Sequence, residues 1–198
     1  FSSTFFARLG NTRGLKALAL DEVELSTEIM QDLAQSLRIN TSLDSLHLNN
    51  LGGSSVSWKS IFESLHDNHT LRTLQIGQNR FDESDLNHLI AVICINRSLK
   101  SVTMSRCDLT DEHLMMLSKK MPDMTGLEDL DLQYNSFGAK GVMALWQGLS
   151  SNYNLQHISL FNHSWSIGGP TNFVCKGYAK ENELVQALLQ RNREVLLK

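Results

Sequence analysis

The chain has 198 residues, 41% of them hydrophobic and 20% charged, with a formal net charge of -3 at neutral pH. That mildly acidic balance argues against a dedicated nucleic-acid binder, which carries a basic surplus on one face, and no apolar run approaches the roughly 20 residues needed to span a bilayer. Cys94, Cys107 and Cys175 are odd in number and sit at no metal-binding spacing, so they read as free, mostly buried thiols of a reducing compartment.

The opening FSSTFFARLG lacks the cationic start and long apolar stretch of a signal peptide. Residues 5–12, FFARLGNT, instead read as the closing helix of a repeat, with Phe5, Phe6 and Leu9 equivalent to Leu33, Ala34 and Leu37. No strand or polar cap precedes them, and an uncapped terminal repeat exposes its apolar flank, so more protein is expected upstream.

From there Leu15, Leu43, Leu71, Leu99, Leu127 and Leu155 follow one another at intervals of 28 residues, with no insertion between them. The segments LKALALDEVEL, LDSLHLNNLGG, LRTLQIGQNRF, LKSVTMSRCDL, LEDLDLQYNSF and LQHISLFNHSW fit one template, LxxLxLxxNxL. At its first, fourth, sixth and eleventh positions 23 of 24 residues are apolar, Gly53 being the exception. Composition alone would supply about 10, so the register is real. Alternation such as Leu46 and Leu48 is that of a strand with one buried face. One repeat cannot bury that face alone, so the strands are expected to stack in parallel, each inner row forming a ladder. Asn79, Asn135 and Cys107 at the ninth position can bond to turn backbone leaving the sheet, while Val23, Leu51 and His163 interrupt that row.

The second half of each repeat has helical spacing, as in Met30, Leu33, Ala34 and Leu37 or Leu86, Leu89, Ile90 and Ile93. Asp82, Glu83 and Asp85 suit a helix N-terminus, which favours negative charge. Helices should end near Asn40, Asn68, Asn96 and Asn152, with Met124 in one repeat, and asparagine there suits a left-handed terminus. Asn40, Asn68, Asn96 and Asn162 also begin N-x-Ser/Thr sequons, but three of them fall where the repeat wants asparagine anyway. The expected fold is therefore α/β, a right-handed βα solenoid with a parallel concave sheet and convex helices.

After Trp165 the period breaks, with a loop signal at Gly168, Gly169 and Pro170. The tail ELVQALLQRNREVLLK places Leu184, Val185, Leu188 and Leu189 on one helical face. Two readings stand: a repeat closing at Asn192 after a 12-residue insertion, or a terminal helix covering the last ladder, which is preferred. The organisation expected is a single repeat domain over 1–198: residues 1–14 end a preceding repeat, 15–182 form six repeats with the last irregular, and 183–198 form the closing helix.

The uniform period with a full helix, carried best by CDLTDEHLMML and NSFGAKGVMALWQGLSSNYNLQHISL, resembles the ribonuclease-inhibitor-like subfamily of leucine-rich-repeat proteins over roughly residues 5–161. The resemblance implies a non-catalytic protein-binding module and no cofactor. It also admits a regulator of a small GTPase, similar to Ran GTPase activators, or a regulator of the actin cytoskeleton. Immune-receptor repeats are richer in cysteine, which sets that branch apart. Placement in the cytoplasm is implied, or in a host's cytosol if the chain is a bacterial effector.

Solvent-facing strand positions should form the binding surface, roughly 25 Å wide for six strands. The candidate protein-binding residues are Arg72, Gln75, Lys100, Arg106, Glu128, Asp129, Asp131, Tyr134, His157 and Phe161. Arg72, Lys100 and Arg106 form an expected basic patch beside the acidic Glu128, Asp129 and Asp131, with Tyr134 and Phe161 adjacent. Arginine and aromatics are common interface hot spots, although neighbouring opposite charges can simply pair across strands. Catalytic and metal motifs are missing from the sequence. His66 and His69 read as a solvated helix end, and Arg80 in GQNRFDE and Asn50 in HLNNLGG are the residues that the GTPase reading would use.

Overall fold

The computed structural model describes residues 3–52, 58–160 and 179–196. Three-residue strands alternate with helices throughout. The strands are β1 (Ala17–Ala19), β2 (Ser45–His47), β3 (Thr73–Gln75), β4 (Ser101–Thr103), β5 (Asp129–Asp131) and β6 (His157–Ser159). They form one sheet in the order β1-β2-β3-β4-β5-β6, with every neighbouring pair parallel. The register follows the 28-residue period, so that Leu18, Leu46, Leu74, Val102, Leu130 and Ile158 stand side by side. Between the strands run α2 (Thr27–Ile39), α3 (Lys59–Asp67), α4 (Glu83–Ile95), α5 (Asp111–Lys120) and α6 (Ala139–Leu149). Helix α1 (Ser3–Asn11) precedes the sheet and α7 (Ala179–Leu196) follows it. The α/β solenoid expected from the period is what the chain forms.

The core lies between the sheet and the helices. Leu43, Leu46 and Leu48 are wholly buried, as are Leu33 and Leu37 of α2 and Leu145 and Leu149 of α6. Burying each such side chain is worth about 1.5–3 kcal/mol. Where the template widens to aromatics, Trp58, Phe62 and Phe81 pack together, with Trp58 5.7 Å from Phe62 and 5.2 Å from Phe81 between ring centres. Phe5 departs from its expected role: it is 39% exposed and stands edge-on to Phe6 rather than entering the core as Leu33 does.

Two asparagine rows tie rung to rung. At the ninth position Asn79 donates to the carbonyls of Leu48 and Ile76 and accepts from the Leu51 N–H. Asn135 repeats this with Met104, Leu132, Cys107 and Leu109, and the Cys107 thiol faces the Ile76 carbonyl in between. At the helix ends, Asn40, Asn68, Asn96 and Asn152 each donate to two carbonyls of the previous repeat. Each also accepts two N–H groups that open its own next strand.

This corrects the left-handed terminus expected there. Asn40, Asn68 and Asn96 are extended, with φ of -71°, -83° and -74°: the backbone N–H of each closes its helix on the carbonyl four residues back, and the side-chain amide then bonds across to the neighbouring repeat. It also disposes of three sequons: those amides are buried and fully bonded, so no glycan can be carried there in the folded chain. Asn162 lies outside the described residues, as do Gly168, Gly169, Pro170 and Cys175.

Helix α7 continues through Asn192 without turning into a strand. Arg191 reaches the carbonyls of Leu149 and Asn152, the two groups that a further ladder asparagine would meet. Its guanidinium also lies 4.1 Å from the centre of the Tyr153 ring. Leu189 is buried against the last repeat and Leu188 is half-buried. The side chains of Leu184 and Val185 fall outside the described ones.

Candidate functional site

On the concave surface the third and fifth template positions face outward. In strand order they are Ala17 and Ala19, Ser45 and His47, Thr73 and Gln75, Ser101 and Thr103, Asp129 and Asp131, and His157 and Ser159. The middle of the sheet is thus mostly small and hydroxylic, with its negative charge concentrated on β5. Burial, with help from the neighbouring Asp129, pushes the Asp131 carboxyl above its ordinary range, against the opposing hydrogen bond from the Gln133 N–H. Gln75 lies on β3 within reach of the Asn49 amide, and His157 stands beside Asp129 on β6.

The larger side chains sit at the two ends of the strands. At the entry end, the second position carries Asp44, Arg72, Lys100 and Glu128, and these pair across strands: Arg72 with Asp44 at 3.4 Å and Lys100 with Glu128 at 2.9 Å. At the exit end, the eighth position carries Glu22, Asn50, Gln78, Arg106 and Tyr134. All five have a left-handed backbone, with φ between 51° and 59°. The first four donate their N–H to the carbonyl of the next rung, which carries the ladder past the strands and holds each side chain at the rim. Arg106 lies over Tyr134, its guanidinium carbon 4.6 Å from the ring centre, and Tyr134 is 45% exposed.

The expected site therefore comes apart into three zones. Arg72, Lys100 and Glu128 share the entry rim. Gln75, Asp129, Asp131 and His157 lie on the sheet. Arg106 and Tyr134 share the exit rim, six residues or roughly 20 Å further along the strand direction. The single basic patch of Arg72, Lys100 and Arg106 does not exist, because equal offsets from the template leucines, not proximity in sequence, decide which residues meet. Phe161 lies outside the described residues. Sequence reasoning missed the left-handed row, since Glu, Gln, Arg and Tyr are not residues that announce positive φ. Only the identity of their places in the repeat could have pointed to it.

Arg80 is held by Asp108 at 3.1 Å, and Asn50 is one of the left-handed residues. Among the described residues no three His, Cys, Asp or Glu side chains gather as a metal site, and no helix is long and apolar enough to cross a membrane.

Comparison with known proteins agrees with this geometry. Residues 96–118 and 124–145 match the family model described as Leucine Rich repeat. The chain is 29% identical over 150 residues to mouse NACHT, LRR and PYD domains-containing protein 5, covering 75% of this chain and 13% of that protein. It is 29% identical over 173 residues to mouse capping protein, Arp2/3 and myosin-I linker protein 2, covering 81% and 13%. Against mouse ribonuclease inhibitor it is 25% identical over 157 residues, covering 78% and 34%. The chain thus spans between 13% and 34% of the length of these relatives. Among solved structures, the tropomodulin C-terminal domain of Caenorhabditis elegans superimposes with a TM-score of 0.63 at 14% identity, covering 98% of this chain and 94% of that one. The presence of a NACHT, LRR and PYD protein among the relatives means that cysteine count does not separate this chain from that group. Period, register and matches converge on one architecture: the chain folds as a leucine-rich-repeat solenoid and is similar in sequence to ribonuclease inhibitor.

Proposed function

We propose that the chain is a non-catalytic protein-binding module whose partner lies along the concave sheet and against its exit rim. The observation that carries this reading is the Arg106–Tyr134 pair, a cation stacked on an exposed aromatic ring and displayed from a fixed backbone. Such a pair offers contact area and charge at small conformational cost, which is the composition of an interface hot spot. The entry rim contributes less, since Arg72 is already paired with Asp44 and Lys100 with Glu128 at solvent-facing positions. Gln75, Asp129, Asp131 and His157 supply polar contacts between the rims, and Phe161 is assigned to the same surface from its place in the template.

Affinity capture from cell extract, with wild type and with Arg106→Glu/Tyr134→Ala, tests this. The partner held by wild type should be lost from the double variant, each substitution weakening binding by more than about 1 kcal/mol. Equal capture by both would refute the assignment.

A second reading is favoured by the likeness to a capping protein, Arp2/3 and myosin-I linker: the partner belongs to the actin cytoskeleton. Co-sedimentation with actin filaments and binding to purified capping protein separate that reading from the general one. No comparable observation favours the GTPase reading. Cytoplasmic placement is supported by the free thiols of Cys94 and Cys107.

A further inference from the structure

A depression of about 240 Å³ opens at the exit ends of β1 to β4. The seventh template position reads Asp21, Asn49, Gly77, Ser105 and Gln133 along successive repeats, so among these only Gly77 adds no side chain to the surface. A methyl group added at Gly77 would come within 3.0 Å of the Ser105 carbonyl oxygen and 3.2 Å of Asn49 Oδ1, so the neighbouring rungs close in on Gly77 and the floor there is backbone.

Its walls are fixed and electron-rich. Asn49 Oδ1 accepts the Gly77 N–H at 2.7 Å, and Asn49 Nδ2 donates to Asp21 Oδ1 at 2.9 Å and to Gln75 Oε1 at 3.4 Å. The Asn49 N–H takes the same Asp21 oxygen at 2.8 Å. Both bonds to Asp21 fall on Oδ1, and its second carboxylate oxygen takes no hydrogen bond among the described residues. Glu22, held at the rim by its left-handed backbone, forms no ion pair among the described residues. Gln78 adds a further carboxamide, and no lysine or arginine lines the depression.

We propose that this depression receives a single arginine side chain of the partner protein. The proposal rests on the concave surface being a protein-binding face and names the chemistry it selects. Two carboxylates at the β1 edge and the carboxamides of Asn50 and Gln78 line the depression, and a guanidinium presents five N–H donors in one plane to meet such acceptors. The bare backbone of Gly77 gives the methylene stem a surface to lie on. A lysine ammonium, a point donor with strong hydration, reaches fewer of these acceptors at once.

The test uses the 15N-labelled chain and three capped pentapeptides, with arginine, lysine or glutamate between paired glycines. The arginine peptide should shift the Gly77 amide and the side-chain amides of Asn49, Gln75 and Gln78 in a saturable way. The lysine peptide should bind at least about fivefold more weakly and the glutamate peptide not at all. Asp21→Asn with Glu22→Gln keeps the acceptor for the Asn49 N–H while removing both charges, and should weaken the arginine peptide about tenfold. Absence of saturation, equal response to lysine, or indifference to the double variant overturns the proposal. If any of these occurs while Arg106→Glu/Tyr134→Ala still abolishes partner capture, the arginine assignment fails and the protein-binding reading stands.

Discussion

Replacing Asn68 by alanine probes the bonds that hold one repeat to the next. Asn68 is 1% exposed, and its side chain makes four bonds to backbone. It donates to the Leu37 and Asn40 carbonyls at 2.7 and 3.3 Å and accepts from the Thr70 and Leu71 N–H groups at 3.0 and 2.8 Å. At about 1 kcal/mol net for each bond, alanine forfeits about 4 kcal/mol, or about 2 if water enters and satisfies half of the stranded groups. Urea unfolding followed by far-ultraviolet circular dichroism should show the midpoint falling by about 1–2 M, given a slope near 2 kcal/mol per molar. Asn68→Asp sharpens the test. It keeps the two acceptor bonds but turns an anion toward two carbonyl oxygens, which raises the folded-state pKa above the unfolded value. Its deficit is then greatest at neutral pH and shrinks as the pH falls through that raised pKa. A loss below about 1 kcal/mol for alanine, or a pH-independent loss for aspartate, would refute the ladder as a source of stability.

Gln78→Asn should stabilise the chain by up to about 1 kcal/mol, because asparagine tolerates the left-handed backbone that Gln78 adopts; an unchanged or lower thermal midpoint contradicts this. Asp131→Asn should raise the midpoint at neutral pH, since burial holds the carboxyl pKa up and its ionised form weakens the folded state. The gain stays below about 1 kcal/mol at this half-exposed position. It should vanish below the unfolded carboxylate pKa, where the wild-type group is protonated in both states. The Cys107 thiol is pushed up to about 12 by burial. At pH 8 only about one in ten thousand is then thiolate, so peptide-resolved iodoacetamide labelling should leave Cys107 unmodified until the chain unfolds.

The solenoid was legible because its signal repeats: equivalent leucines every 28 residues leave one arrangement in which all are buried together. The helix-ending asparagines were legible as positions but not as bonds, since helix-terminus statistics suggest a left-handed residue where this fold uses an amide across repeats. The surface was legible as a list of outward residues but not as a map. Arg72 and Arg106 look alike in the sequence, and only the register shows one paired at the entry rim and the other stacked on Tyr134 at the exit rim. Gly77 illustrates the remaining difficulty, because an absent side chain leaves no mark until its neighbours in other repeats are aligned beside it.

The most direct measurement is photo-crosslinking from within the assembled complex. A benzoylphenylalanine placed at Thr103, on the concave sheet, should yield a covalent adduct with the partner, whereas the same residue at Met143, 48% exposed on helix α6, should yield none. Adducts from position 143 with none from position 103 would put the partner on the convex side and contradict the account.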